Sequence, residues 1–362
     1  MKFFFFLAVW LAGYILGPVS AWAGEPQEQR IPEPITIAAV GDIMLGSDFP
    51  SPRLPPEDGR ALLAPVSHLL GQADLGFGNL EGPLCDGGLC AKDLDSPNVY
   101  AFRTPTRFAR TLAGAGLKVL SLANNHALDF GEAGLRATKQ ALREAGLKFS
   151  SKDGEVAEYT LKGVKVGLAA FSFGPPPRSI VFLKEAWTEI AALAEKYDIL
   201  VVSVHGGREG RGALHVGDET EYFLGENRGN LVRFARGAVD RGADLILGHG
   251  PHVPRALELH GGRLIAYSLG NFCTYLGMNL SGESGYAPLL MVELGPKGEF
   301  LRGCLHSFLQ KRPGGPQPDA EGRAAALIRQ LSLEDFPTSS PIITSKGEVL
   351  PFRSGDRGER GR

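Results

Sequence analysis

The chain has 362 residues, a formal net charge of -2 and a sequence pI near 6.5. With 43% hydrophobic and 22% charged residues it has the composition of a globular protein, not of a disordered or fibrous one. It has no basic excess and no long run of like charge to hold a phosphate backbone, so nucleic acid is not an expected partner.

Residues 1–23 read as an export signal. Lys2 is the positive n-region, FFFFLAVWLAGYIL is the apolar segment, and Ala21-Trp22-Ala23 is a small-x-small cleavage site. The expected location is periplasmic or secreted, or membrane-anchored if the segment is kept, because residues 3–22 carry no charge and approach the ~20 residues that span a bilayer. No cysteine stands at the cleavage site and no arginine pair precedes the apolar run, which argues against lipoprotein and twin-arginine routes. Residues 24–34 are polar and proline-bearing, a disordered lead-in.

A strand is predicted at 35–40. From there apolar runs alternate with helical periodicity at about 59–73, 105–115, 132–145, 184–197 and 227–241, the signature of βαβ units. Three stretches break the alternation: EVAEYTLKGVKVGLAAF, RALELHGGRLIAYSLGNF and LLMVELGPKGEFLRGCLHSF read as hairpins turning at Lys-Gly, Gly-Gly and Lys-Gly. Together they predict an α/β domain over 35–311, a two-sheet sandwich of mixed strand direction flanked by helices. Beyond 311, RPGGPQPDAEG reads as a linker. A short amphipathic helix near 320–331 and an apolar PIIT stretch complete an extension over 312–352, and 353–362 is a charged tail expected to be disordered.

In an oxidising compartment Cys85 and Cys90 of CDGGLC can close a small loop, leaving Cys273 to pair with Cys304. Other pairings and free thiols remain open, and Cys304 in an alternating stretch also fits a core position. There is no C-x-x-C pair, so thiolate metal ligation is not expected.

The chemistry lies at strand ends. The apolar runs ITIAAVGD, LGFGNLE, VLSLANNH, ILVVSVH and LILGHGPH end in Asp42, Glu81, His126, His205, and His249 with His252. In open α/β sheets the carboxyl ends of strands are where sites form, so neighbouring strands would bring these groups together. Each has a plainer reading: Asp42 and Glu81 as turn residues, Asn124 or Asn125 as a helix cap, His205 as a packed imidazole. A carboxamide oxygen beside an imidazole, as in Asn124-Asn125-His126, also suits a hard metal and a proton donor. Gly250-Pro251 can hold His249 and His252 over one site. Arg208 and Arg211, in the glycine-rich loop after His205, present guanidinium forks suited to phosphate or carboxylate. His68, His215, His260 and His306 are given no role.

The ordered series GDIMLG, NLEGPL, NNHALDFG, VSVHGG, GADLILGHGPHV and YSLGNF, over roughly 35–310, resembles the CapA family of bacterial capsule and poly-γ-glutamate synthesis proteins, which is similar to the calcineurin-like metallophosphoesterases. The resemblance implies a four-layer αββα sandwich with a two-metal centre. Asp42, Glu81, Asn125, His205, His249 and His252 would be ligands, His126 the general acid, and Asn79, Asn124, Arg208 and Arg211 substrate-side groups. Met44 replaces the histidine of an Asp-x-His opening, Gly250 stands where a ligand is expected, and Gly-Gly follows His205 in place of Trp-Gly. Mixed oxygen and nitrogen donors would admit Mn, Fe or Zn.

The expected function is metal-dependent phosphoester hydrolysis on an anionic envelope substrate in capsule or polymer synthesis, alongside capsule-synthesis membrane proteins. The alternatives are a non-catalytic polymer assembly or anchoring component and a metal-dependent amide hydrolase.

Overall fold

In the computed structural model, residues 33–352 are described, together with Met1 and Phe4. Apart from those two residues, the expected export signal, the lead-in as far as residue 32 and the tail from 353 lie outside the described residues. Among the described residues no helix is long and apolar enough to cross a membrane.

The chain opens with β1 (Ile35–Met44), β2 (Leu75–Leu80), β3 (Val119–Ser121) and β4 (Lys148–Ser150), laid side by side in parallel. It then crosses to a second sheet through β5 (Ala157–Leu161), β6 (Val164–Ser172) and β7 (Ile199–His205). A small hairpin of β8 (Tyr222–Phe223) and β9 (Glu226–Asn227) precedes β10 (Leu245–His249), β11 (Leu257–His260) and β12 (Arg263–Ala266), which complete that sheet in the order β11-β12-β10-β7-β6-β5. The chain returns to the first sheet with β13 (Asn271–Thr274), β14 (Tyr286–Leu294), β15 (Phe300–Gln310), β16 (Pro316–Pro318), β17 (Ile342–Ile343) and β18 (Glu348–Leu350). There the order is β17-β18-β15-β14-β1-β2-β3-β4, with β13 added to β1 and β16 to β15.

Both sheets are mixed because the three expected hairpins form: β5 with β6, β11 with β12 and β14 with β15 are antiparallel, while β6, β7, β10 and β12 run parallel. Alternation along β1 shows how the layers arise. Ile35, Ile37 and Ala39 face Val166, Leu168, Val201, Leu245 and Leu247 of the second sheet. Ala38 and Val40 face outward, onto Leu63, Val66, Leu70, Leu112 and Leu142 of the covering helices. On the far side Phe171, Val202 and Ile246 pack under the helices Leu183–Ala194 and Leu231–Val239. Period-two strands apolar on both faces must be covered on both, and the result is a four-layer αββα sandwich.

The helices fall where expected, with two local differences. The helix expected at 59–73 is broken into Arg60–Leu63 and Ser67–Gln72 by a 3-10 turn holding Pro65, which lacks the N–H that a continuous helix needs. The helix expected at 227–241 starts later, at Leu231, because the Asn230 side chain accepts from the Arg233 N–H and caps it there. Residues 312–352 add β16 and the β17–β18 hairpin to the first sheet. Their helix Arg323–Asp335 sends Ala325 and Ile328 into the inter-sheet core.

The expected cysteine pairs do not form: all four thiols are free. Cys273 in β13 is wholly buried in the outer core of the first sheet, opposite Ile43, and burial pushes its thiol well up. Cys304 in β15 has Met291 and Glu348 as its cross-strand neighbours, so neither sulfur faces the other across a ladder.

β1 meets the chain before β13 with no room to spare. The Asp42 N–H donates to the Gly270 carbonyl at 2.8 Å, and a Cβ on Gly41 would stand 1.9 Å from that oxygen. Gly41→Ala is expected to cost about 3 kcal/mol or more in urea unfolding, as overpacking against fixed backbone does. A loss under about 1 kcal/mol would mean that this crossing yields.

Candidate metal centre

Strand register assembles the site. Asp42 is opposite Asn79 across β1–β2 and opposite Asn271 across β1–β13, and the register shifts beside Asp42 in both ladders. Such irregularities turn a strand end and re-aim its side chain. In the second sheet Ser172, His205 and His249 lie in one row across β6, β7 and β10. The carboxyl edges of the two sheets therefore face one another. The turn after β10 spans the gap through His252, whose Nδ1 lies 3.0 Å from Asp42; within its own sheet the turn packs on the end of β7, where Gly250 has φ +109° and a Cβ would stand 2.7 Å from the Gly206 carbonyl oxygen. His252 takes a left-handed φ of 58°, a strained setting for a non-glycine residue and one that recurs at functional sites.

Asp42 is the hub and is wholly buried. Its Oδ1 accepts from Asn79 Nδ2 at 2.9 Å and lies 3.5 Å from His249 Nδ1, while its Oδ2 lies 3.0 Å from His252 Nδ1. His252 also faces Asn271 Oδ1 at 3.2 Å and, through Nε2, Glu81 Oε1 at 3.6 Å. Asn79 Nδ2 is 3.5 Å from His205 Nδ1, and the Asn79 Oδ1 accepts from Asn124 Nδ2 at 3.1 Å. Ligand atoms of Asp42, Glu81 and His205 all lie within 4.8 Å of one another.

Whether these residues suit a cation is decided by what they leave unpaired. Glu81 Oε1 and Oε2, Asn125 Oδ1, His205 Nε2, and both ring nitrogens of His249 are buried without a hydrogen-bond partner. Buried polar atoms are almost always paired, and six of the eleven exceptions among the described residues are metal-donor atoms on expected ligands, the others lying on Asp129, Ser203, Arg228 and Gln310. The electrostatics agree. Burial, then the charge of Asp42, pushes the Glu81 carboxyl well above its ordinary range. Burial holds the His205 imidazole well below its ordinary value. Burial also acts to raise Asp42, but His249 and His252, close against its two oxygens, outweigh it and hold the carboxyl far down. His252 is pushed up to about 10: burial opposes the shift, and Glu81 and Asp42 override it. Crowded carboxylates and unpaired imidazole nitrogens are the donor set of a divalent-cation site.

His126 follows β3 and is buried, its ring tilted 36° against that of Phe102 with centroids 4.4 Å apart. Its Nδ1 lies 2.9 Å from Asp129 Oδ2 and 3.1 Å from Lys92 Nζ, and Lys92 is 2.6 Å from Asp129 Oδ1. Burial lowers the His126 pKa while Asp129 works against that. Neither asparagine caps the next helix, whose first turn carries no side-chain cap. Asn124 Oδ1 instead accepts from the His126 N–H at 3.1 Å, fixing the turn that presents the imidazole. Arg208 is exposed, with its N–H donating to Glu221 at 2.9 Å, and Arg211 is exposed and ion-paired with Glu283. Met44 takes no part in the cluster, its sulfur accepting from the Gly46 N–H at 3.3 Å.

Asp129, Asn271, Glu209 and Lys92 are neighbours of the site that sequence reasoning did not assign. The i, i+3 spacing of His126 and Asp129 within NNHALDFG was a readable signal, and so was the asparagine of YSLGNF. Lys92 reaches the site only through the fold of a long loop.

A sequence profile described as "Bacterial capsule synthesis protein PGA_cap" matches residues 36–275. The capsule biosynthesis protein CapA of Bacillus anthracis is 27% identical over 324 residues, covering 81% of this chain and 71% of the relative. The PGA biosynthesis protein CapA of Bacillus subtilis (strain 168) is 25% identical over 284 residues, covering 73% and 70%. Among solved structures, a 5'-nucleotidase precursor from Thermus thermophilus aligns with 76% of this chain and 54% of its own length, at TM-score 0.40 and 14% identity.

Glu81 buries both carboxyl oxygens without a hydrogen-bond partner, a cost that a bound cation would offset. In chelated protein at pH 7.5, Glu81→Gln is expected to raise Tm by about 1–2 °C, the effect of relieving about 1 kcal/mol in a domain of this size. It is also expected to abolish the Tm increase that Mn or Zn gives the wild type, measured by thermal unfolding. An undiminished metal response in the variant would remove Glu81 from the ligand set.

Proposed function

The chain belongs to the bacterial capsule synthesis protein family PGA_cap, and from that premise we propose that it is an exported, metal-dependent phosphoesterase acting on a phosphorylated intermediate of capsule or poly-γ-glutamate assembly. The observation that carries the reading is the set of unpaired buried donors on Glu81, Asn125, His205 and His249 around the Asp42 carboxylate. Asp42, Glu81, Asn125, His205, His249 and His252 would hold the metal, two ions in this reading. Divalent Mn, Fe or Zn there would activate a water and offset negative charge developing at phosphorus.

The chain's own groups do the rest. His126, its Nδ1 engaged by Asp129, is left with Nε2 to deliver a proton to the leaving oxygen. Asp129 fixes the ring and favours its protonated form, and Phe102 shields it from water. Asn79 and Asn124 form a hydrogen-bonded bridge from Asp42 to the turn that carries His126, so the acid and the ligands move as one unit. Arg208, exposed beside the cluster, offers a guanidinium to an anionic polymer, and Arg211 would do so on leaving Glu283. Capsule-synthesis membrane proteins are the proposed partners.

A second reading, a non-catalytic assembly or anchoring component, is favoured by Met44, which supplies no imidazole. Turnover separates the two. Metal-loaded wild type is expected to hydrolyse p-nitrophenyl phosphate or its bis ester, and His126→Ala to lose about 10²- to 10⁴-fold in kcat with metal content unchanged. A loaded protein without turnover on either ester would favour the assembly role.

A further inference from the structure

The loop from His205 to the helix at Leu231 holds one more charged group against the centre. Arg228 is 3% exposed, with its guanidinium 4.1 Å from the centroid of the Phe173 ring and 5.3 Å from that of Phe223. The Phe173 ring in turn stacks on His205, centroids 6.2 Å apart. The backbone pins it: the Gly207 N–H donates to the Arg228 carbonyl, and the Arg228 N–H to the Glu221 carbonyl, both at 2.9 Å. The guanidinium is thus tied by backbone to the second residue beyond a candidate ligand, and held between aromatic walls.

Its partners are less fixed. Nη1 is 2.8 Å from Glu209 Oε1 and Nη2 is 2.9 Å from Glu226 Oε2, yet Nε and Nη1 are both buried without a hydrogen-bond partner. The Glu226 side chain is more than half exposed. Glu209 Oε2 reaches to 3.9 Å from His252 Nε2, so its carboxylate lies between Arg228 and the cluster and adds negative charge beside Asp42 and Glu81. Glu209 stands between Gly207 and Gly210, whose N–H groups are held by the Arg228 and Pro251 carbonyls, but its own side chain is 21% exposed, so rotation about side-chain bonds can turn it outward.

We propose that Arg228 is the phosphoryl-binding side chain of this site, and that Glu209 occupies the place of a phosphoryl oxygen until substrate displaces it. Carboxylate and phosphoryl oxygens are interchangeable partners for a guanidinium fork, and a buried, pre-positioned arginine loses little entropy in exchanging one for the other. The assignment rests on the phosphoesterase reading above for its choice of anion.

The test is calorimetric titration of inorganic phosphate into metal-loaded wild type, Arg228→Met, Arg228→Lys and Glu209→Gln, with metal stoichiometry and p-nitrophenyl phosphate KM and kcat measured on the same samples. Arg228→Met is expected to raise the phosphate Kd and KM about tenfold or more at unchanged metal content, the worth of one charge-assisted contact. Arg228→Lys should lose less. Glu209→Gln should tighten phosphate several-fold, because its competing charge is gone, and this arm decides the matter if Arg228→Met does not fold. No phosphate binding by the wild type, or a phosphate Kd in Glu209→Gln equal to or weaker than wild type, overturns the assignment. The expected shifts in phosphate affinity without ester turnover would keep Arg228 and remove the phosphoesterase reading. Normal turnover with unshifted Kd and KM in every variant would do the reverse.

Discussion

A carboxylate buried between two sheets governs this structure. Asp42 has no access to water, and its ionised form survives because Asn79 donates to it and His249 and His252 stand against it. Burying such a charge without compensation is costly, and here the compensation comes from the opposite sheet. The sandwich and the site are therefore one arrangement: the inter-sheet core of Ile37, Phe77, Val201 and Leu247 brings together the strand ends whose charges must meet. Glycines at 41 and 250 let neighbouring backbone pack tightly at these strand ends by carrying no Cβ.

Much of this was legible beforehand. A strand buried on both faces reads as an unbroken apolar run, and five such runs ended in donor side chains, which located the carboxyl edges. The hairpins at Lys162-Gly163, Gly261-Gly262 and Lys297-Gly298 were legible because glycine at a turn between alternating strands has few other uses. What stayed hidden depends on contacts between distant segments. The helical periodicity of 59–73 gave no sign of the break that Pro65 makes within it. Nothing local placed Lys92 beside Asp129, or Arg228 over the Phe173 ring. The cysteine pairs failed for the same reason: spacing in sequence does not say which strands are neighbours, and Cys273 points into a core.

Membership of the capsule synthesis family and the chemistry of the cluster bear on different levels. The family ties the chain to capsule and poly-γ-glutamate synthesis, and the donors set what the site can do there. Met44 in place of an imidazole makes this site poorer in nitrogen donors, and Asn125, with a buried unpaired amide oxygen, shifts it further toward oxygen ligation. That balance would suit harder ions.

The central claim is that the Asp42 cluster exists to hold divalent metal, and elemental analysis of the purified protein beside Asp42→Ala and His205→Ala tests it most directly. Close to two metals per chain in the wild type, falling sharply in both variants while they remain folded by circular dichroism, is the predicted result. A wild type that holds no stoichiometric metal after incubation with Mn or Zn, or variants that retain it, would contradict the account.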